Sequence, residues 1–421
     1  MTINDTIHPN RMKAHRFRFL AWVTSYALSI TTASAADWPQ WRGLHRDGVS
    51  DETIATNWPA GGPRQLWCAD VGVGHAPVSI ADSRVITLGH TGQNDRVWCL
   101  NAVDGHILWQ FDYPAIARCS GEPGNGAFDG PHAAPTIDGT NVYTLSRDGK
   151  VHCLDLATGA QHWTRDLRVD LKAKLPECGF SSAPLVRNGV VFVNVGKSGT
   201  ALDASTGVTR WQSGSEMAGY AAPVLDQTDS AQQRLLIFSG NTLFAVNPVD
   251  GQTNWSLAWP TSWGVNAVDP MVIYDGIFIT TAYNQGCAGL DARTGAVRWK
   301  NQNLASSCSP PILFGGNLYG FNGFIDYPPG QAMVCLDPQT GAVRWRQEHM
   351  AGQMICVGDQ LVLTLVTGEL ALVRATSRAY SEVVRVRLFA PERCTVPPAF
   401  ANGRLYCRTG TGRLVCLDLA P

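Results

Sequence analysis

Close copies of one stretch, VHCLDLATGAQHW at residues 151–163, recur along nearly the whole chain, and this recurrence constrains the fold more than any other feature. Aligned on small-Leu-Asp-x-x-Thr-Gly-x-x-x-Trp, the copies end at Trp109, Trp163, Trp211, Trp255, Trp299 and Trp345, with a worn copy near Tyr380; Trp67 and Cys416 complete the set from the two ends of the chain. In each copy a short apolar run meets Asp and Thr-Gly, residues that turn a chain easily, and a second run closes on an aromatic, which is the signature of a β-hairpin. The Asp accepts from nearby backbone amides, the Gly takes positive φ without a Cβ clash, and the Trp brings roughly 150–250 Å² of surface to bury. A single hairpin cannot bury that ring, so the copies must stack on one another.

Between hairpins every unit follows one plan. An Ala-Pro or similar opening leads a first strand, a Gly turn follows, and a β-branched second strand runs to a polar turn: Ala134-Pro135 opens a strand, Val142 to Leu145 is the next, and Arg147-Asp148-Gly149 turns into Val151. The opening returns at Ala183-Pro184, Ala222-Pro223, Asp269-Pro270, Pro310-Pro311 and Pro397-Pro398. Trp-to-Trp steps of 42 to 54 residues suit a four-stranded blade, and the pattern predicts eight blades. The longer steps carry insertions at Tyr113 to Asp129, Gln227 to Gln233 and Phe324 to Gly330, and the seventh blade, Gln353 to Phe389, has lost Asp, Gly and Trp. Arg64 to Asp70 reads as one strand that carries the repeat's Trp without its preceding half. Val396 to Phe400, Arg404 to Arg408 and Arg413 to Asp418 supply three strands that lack a fourth. The expectation is an all-β, eight-bladed propeller of four-stranded antiparallel blades, closed by pairing the N-terminal strand with the C-terminal blade, which leaves no open sheet edge at the ends of the array.

Residues 1–35 read as a secretory signal peptide: Arg11, Lys13, Arg16 and Arg18 precede an apolar run from Phe19 to Thr32, and Ala33-Ser34-Ala35 fits small-x-small cleavage. Met1 and Met12 both stand as possible starts. The run is shorter than the roughly 18–20 residues that span a bilayer, and with no Cys at the cleavage point a lipid anchor is not indicated. The expected product is exported, periplasmic or extracellular, with residues 36–421 as a single domain: a lead at 36–63 and blades at 64–421. The lead, which includes Trp38-Pro39-Gln40-Trp41-Arg42-Gly43 and Arg46-Asp47-Gly48, has no repeat of its own and is expected to pack on the array.

With 45% hydrophobic and 16% charged residues and 42 glycines, the chain is globular and rich in turns. A formal charge of −1, with no Lys/Arg cluster beyond the N-terminal segment, speaks against nucleic acid as a partner. Of twelve cysteines, Cys99, Cys153, Cys335 and Cys416 occupy the slot held by Ala201, Ala245 and Gly289 in other copies, and read as small hydrophobes. Cys119 and Cys178 flank one repeat and could pair, although connectivity is not readable from sequence.

The repeat resembles the tryptophan-docking motif of the quinoprotein, or PQQ-type, β-propellers. Within that superfamily the chain is similar to the short exported propellers related to BamB, and its Trp-Pro-Gln-Trp-Arg-Gly lead and Gly-Arg-Leu-Val-Cys-Leu-Asp-Leu close resemble exported propellers of planctomycete-type bacteria. The resemblance implies a fold strongly and a cofactor weakly. Quinoprotein dehydrogenases hold PQQ beneath two adjacent cysteines and bind calcium through Glu, Asn and Asp; this chain has no Cys-Cys pair and no Cys-x-x-Cys-His haem motif. There is no His-Glu-x-x-His, Gly-x-Ser-x-Gly or phosphate-loop signature, the Gly-rich 121–126 reads as a loop, and the ten histidines look scattered. No catalytic, cofactor-binding or metal-ligating residue is assigned.

What remains is the mouth of the ring, where the segments before each opening strand converge. Phe180, Ser181, Tyr220, Trp263, Asn266, Ser307, Arg393 and Thr395 are its candidate ligand or partner residues, because rings offer stacking area while hydroxyls and amides adapt their hydrogen bonds. The alternative is that these side chains only fill the channel. The expected function is a monomeric, exported, non-catalytic scaffold for a protein or peptide partner in the cell envelope. The alternatives are a PQQ- and calcium-dependent dehydrogenase of alcohols or sugars, and glycan binding at the central funnel.

Overall fold

Alternating apolar and polar residues between turn-forming clusters give four-stranded antiparallel sheets in which neighbours in sequence are neighbours in space. The computed structural model describes residues 1–2, 37–115, 129–229, 232–325, 330–389 and 392–421. The architecture is that of the unit Ala36–Pro421. Eight sheets make up the ring. Blade 1 is Ser79–Ala81, Arg84–Thr91, Asn94–Asn101 and Ile107–Pro114, and blade 2 is Thr136–Asp138, Asn141–Leu145, Lys150–Asp155 and Gln161–Asp166. Blades 3 to 6 open at Leu185–Arg187, Val224–Asp226, Met271–Ile273 and Ile312–Phe314, and close at Thr209–Gln212, Thr253–Ala258, Val297–Asn301 and Val343–Glu348. Blade 7 is Gly352–Val357, Gln360–Leu365, Glu369–Arg374 and Glu382–Arg387.

The two ends of the chain share blade 8. Gln65–Asp70 pairs antiparallel with Arg413–Asp418, which is followed in the sheet by Arg404–Arg408 and Ala399–Ala401, and Trp67 stands opposite Cys416. The innermost strand is shorter than expected and starts at Ala399, because Pro397 and Pro398 have no N–H to give to a ladder.

The repeated hairpin works as its residues demand. In blade 2 the Asp155 carboxylate accepts from the Thr158 amide at 2.8 Å and its hydroxyl at 2.7 Å, and Gly159 takes φ +74°. A Cβ on Gly159 would lie 2.6 Å from the Trp109 ring of blade 1, so this glycine is what lets the indole lie flat on the next blade. The indole N–H then reaches the neighbouring hairpin's carbonyl: Trp67 to Ala102, Trp109 to Leu156, Trp163 to Ala204, Trp211 to Pro248, Trp255 to Ala292 and Trp345 to Thr376, at 2.7–3.2 Å. Opposite each Trp on the adjoining strand sits the small slot, Cys153 across from Trp163 and Cys335 across from Trp345; the thiols are buried and free, and burial pushes Cys153 up to about 11.

Two units depart from the plan. In blade 5 the slot is Gly289, whose missing Cβ would fall 2.3 Å from Trp299 Nε1, so this indole has slid into the vacant space. Its counterpart of the other docking carbonyls, Pro338, lines a cleft with Trp299, while Asn301 and Asn303 donate to Gly341 O at 3.1 and 2.7 Å. In blade 7 the residue in the Trp register is Val384, opposite Leu372 just before the bulge, not Tyr380. Tyr380 instead packs edge-on against Trp345 at 6.0 Å, because the lost Gly turn leaves a space that a ring fills. Cys178 is disulfide-bonded; its expected partner Cys119 lies outside the described residues.

Candidate functional site

The first strands of the blades face the central channel, and the x-Pro dipeptides before them ring it. The lead does not lie on the outside of the array but runs into this channel. It touches every blade. Trp38 exchanges backbone hydrogen bonds with Ile80 at 2.8 and 2.9 Å, and Pro39 O accepts from Ile137 N at 2.7 Å. Arg46 donates to Pro184 O and Pro223 O at 3.3 Å, Trp41 Nε1 donates to the Asp269 carboxylate, and Arg42 donates to Pro311 O at 2.6 Å. Val49–Ser50 then adds a parallel strand to blade 7, and Glu52 accepts from the Asn402 and Gly403 amides of blade 8 at 3.0 and 2.9 Å.

This occupancy is built into the residues. Trp41 rests on the small side chains of Ala134, Ala183 and Ala222, which leave room for an indole. Gly48 has φ +80° and a Cβ there would strike Ile312 at 2.5 Å. Arg42 and Arg46 hold left-handed φ of 61° and 59°, conformations that surrounding contacts must hold in place. Asp269 also accepts from the Ala222 amide at 2.7 Å. Burial pushes its carboxyl up, and the Arg42 and Arg46 charges and the Trp41 N–H pull it back; burial lowers Arg46 to about 10. The space left beside the lead is a cleft lined by residues that include Trp38, Trp41, Gln353 and Pro398.

The mouth is built by the segments just before these dipeptides, and its candidate residues divide. Phe180 is fully buried among Tyr143, Leu145 and Val193, and its amide donates to Arg147 O at 2.8 Å. Asn266 is equally enclosed: its amide donates to Ser239, Gly240 and Trp259 carbonyls at 3.0–3.2 Å and its oxygen accepts from Thr281. Both hold the mouth's walls and offer nothing to a ligand. Tyr220 is half-buried, its hydroxyl accepts from the Cys178 amide at 3.3 Å, and burial raises its pKa. Ser307 accepts from Ile325 N at 3.2 Å, and Arg393 is exposed.

Ser181 and Thr395 are brought together by two histidines that sequence reading missed. Thr395 Oγ1 lies 3.1 Å from His75 Nδ1, the His75 and His132 rings meet edge to face at 5.2 Å, and Ser181 Oγ lies 3.3 Å from His132 Nδ1. Four successive connections around the ring, from blade 7 to blade 3, thus supply one chain of half-buried polar side chains. The signal was present in the sequence: His75 precedes Ala76-Pro77 and His132 precedes Ala133-Ala134-Pro135, the same place in two units. Trp263 stands apart on the connection from blade 4 to blade 5, 75% exposed and at φ 67°, which is unusual for a bulky aromatic.

The quinone implied by the family resemblance is a planar tricarboxylate. The channel is occupied by Trp41, Arg42 and Arg46, whose guanidinium groups already serve chain carbonyls. Among the described residues no three His, Cys, Asp or Glu side chains converge as a metal ion needs. The described channel residues do not fit the cofactor.

Comparison with known proteins places this geometry. The chain is 30% identical over 150 residues to quinohemoprotein alcohol dehydrogenase ADH-IIG of Pseudomonas putida, covering 34% of this chain and 20% of that protein. It is 22% identical over 277 residues to outer membrane protein assembly factor BamB of Yersinia pestis, covering 61% of this chain and 65% of that one. The chain therefore spans a fifth of the dehydrogenase and just under two thirds of the assembly factor. The crystal structure of BamB from Moraxella catarrhalis superposes with a TM-score of 0.61 at 18% identity, over 85% of this chain and 97% of that one, a likeness of fold. Residues 93–347, more than half of the chain, match the family described as outer membrane protein assembly factor BamB, and the protein belongs to that family.

Proposed function

We propose that this protein is an exported, monomeric, non-catalytic propeller that serves as a binding scaffold for a protein or peptide partner in the cell envelope. The mouth is the observation that carries the reading. Successive blades present half-buried hydroxyls, imidazoles and a phenol there, and the lead fills the axis beneath them, so a partner engages a surface rather than a deep cavity. Arg393 and Trp263 lie on the same set of connections, and an exposed Trp is the residue type most often found to anchor an interface. The family's description as an assembly factor supports a partner of protein chemistry. Export is supported by the basic N-terminal residues, the apolar run and Ala33-Ser34-Ala35, with residues 1–35 as the leader; intact-mass measurement of the exported form should give a chain that starts at Ala36. No helix among the described residues is long and apolar enough to cross a membrane.

The test is co-purification from envelope extract with the wild-type chain and with Trp263→Ala and His132→Ala. A specific partner retained by the wild type and weakened at least tenfold by either substitution supports the scaffold; no specific partner, together with reproducible substrate turnover, rejects it. The dehydrogenase reading draws on the alcohol dehydrogenase relative, and titration with PQQ and calcium tests it: a stoichiometric quinone absorption band with dye reduction by alcohols or sugars would favour it over the scaffold. The exposure of Trp263 also suits glycan stacking, which predicts fluorescence quenching by an oligosaccharide panel that Trp263→Ala abolishes.

A further inference from the structure

We propose that the channel wall is a peptide-binding site and that its resident ligand is the chain's own residues 37–50. The site reads a tryptophan and two arginines spaced four residues apart. Asp269, buried, takes the Trp41 indole N–H on one carboxylate oxygen and the Ala222 amide on the other, so wall and ligand share one acceptor. Pro311 O receives Arg42, while Pro184 O and Pro223 O receive the two ends of the Arg46 guanidinium, so each arginine reads carbonyls that the x-Pro dipeptides aim inward. The x-Pro pattern and the lead's Trp-Arg pattern are thus two halves of one recognition. Neither half belongs to the hairpin repeat that holds neighbouring blades.

The consequence is a brace acting across the ring. Docked tryptophans join each blade only to the next, whereas the lead joins blades that are opposite one another and far apart in sequence. Removing the indole takes one of two hydrogen-bond donors from the buried Asp269 carboxylate, which keeps the Ala222 amide, and removes the lead's tie to blade 5, a loss of the size of a hydrogen bond to a charged group.

Hydrogen exchange on the full-length chain tests this. Trp41→Ala should speed exchange roughly a hundredfold, in line with the loss of a hydrogen bond to a buried charged group, at residues 37–50 and at the first strands of blades 1 to 5 together. Val193→Ala, a core change within blade 3, should act on blades 2 and 3 only. Acceleration confined to residues 37–50 overturns the proposal. Where Trp41→Ala does not fold, Trp41→Phe and Asp269→Ala keep the test: each removes the same hydrogen bond, so the double variant should lose no more than the larger single loss, and full additivity overturns the pairing. A synthetic peptide of residues 37–50 is the second probe. The full-length Trp41→Ala/Arg46→Ala chain should bind it at least tenfold more tightly than the wild type, whose site is filled; equal binding, or none by the variant, overturns the site. Partner capture at the mouth is read separately and does not decide this outcome.

Discussion

Trp163→Ala isolates what one docked indole contributes. The ring is 8% exposed, lies 6.0 Å from Tyr143, and covers Gly207, where a Cβ would come within 2.7 Å of it. Removing roughly 150–200 Å² of buried ring at about 25 cal/mol per Å² costs about 4–5 kcal/mol before relaxation. The lost hydrogen bond to Ala204 O adds about 1 kcal/mol at most, because the Tyr143 hydroxyl still donates to that carbonyl at 3.1 Å and no orphan is left. Partial collapse of the cavity brings the expected loss to about 3–5 kcal/mol. Trp299→Ala is the internal comparison. That ring is half-buried, makes no hydrogen bond to the next blade's docking carbonyl and borders an open cleft, so its removal should cost about 1–2 kcal/mol less. Urea melts with matched slopes read both values. A loss below ~1 kcal/mol for Trp163→Ala, or equal losses for the two, would refute the reasoning that docking geometry sets the energy.

His152 is 3% exposed, and burial, then the Lys150 charge, lowers it to about 4. The fold keeps it neutral while the unfolded chain binds a proton below about 6.5, so its contribution is complete above that pH and is lost as pH falls toward 4, about 3 kcal/mol in all; His152→Gln should flatten stability against pH across that window, and an unchanged slope would exclude it as the source. Arg408, 1% exposed, donates to Ala76 O, Thr87 Oγ1, Leu88 O and Gly72 O at 2.6–3.0 Å across the seam between blades 8 and 1. Arg408→Met should cost about 3 kcal/mol or more by orphaning those carbonyls, and a urea midpoint within error of the wild type would contradict this. Gly289→Ala forces the Trp299 indole out of its pocket toward Pro338 O, as in the sister blades, and should stabilise by about 0.5–1 kcal/mol; a loss in the melt, or an indole N–H resonance that does not move, would show that the ring cannot swing.

The blade plan was legible because it rests on local chemistry repeated many times. Asp155, Thr158 and Gly159 turn the same way wherever they occur, and Trp163 has to find a neighbour. Closure was legible because Trp67 and Cys416 each lacked the half that the other carries. The mouth was legible only as a set of connections. Sequence reading could not separate Phe180 and Asn266, which the walls consume, from Ser181 and Thr395, which stay at the surface, because burial at equivalent positions depends on the neighbouring blade. In blade 7 the aromatic Tyr380 drew attention from Val384, which holds the Trp register, since a bulge counts residues in space and not along the chain.

By itself the sequence determined the number of blades, their four-strand plan, the stacking of each blade on the next and the way the ring closes, all consequences of interactions between residues near in sequence or copied at a fixed period. Only the tertiary structure decided where Trp41, Arg42 and Arg46 go and which histidines meet. Those contacts join blades that lie across the channel from one another, and such a distance has no period along the chain.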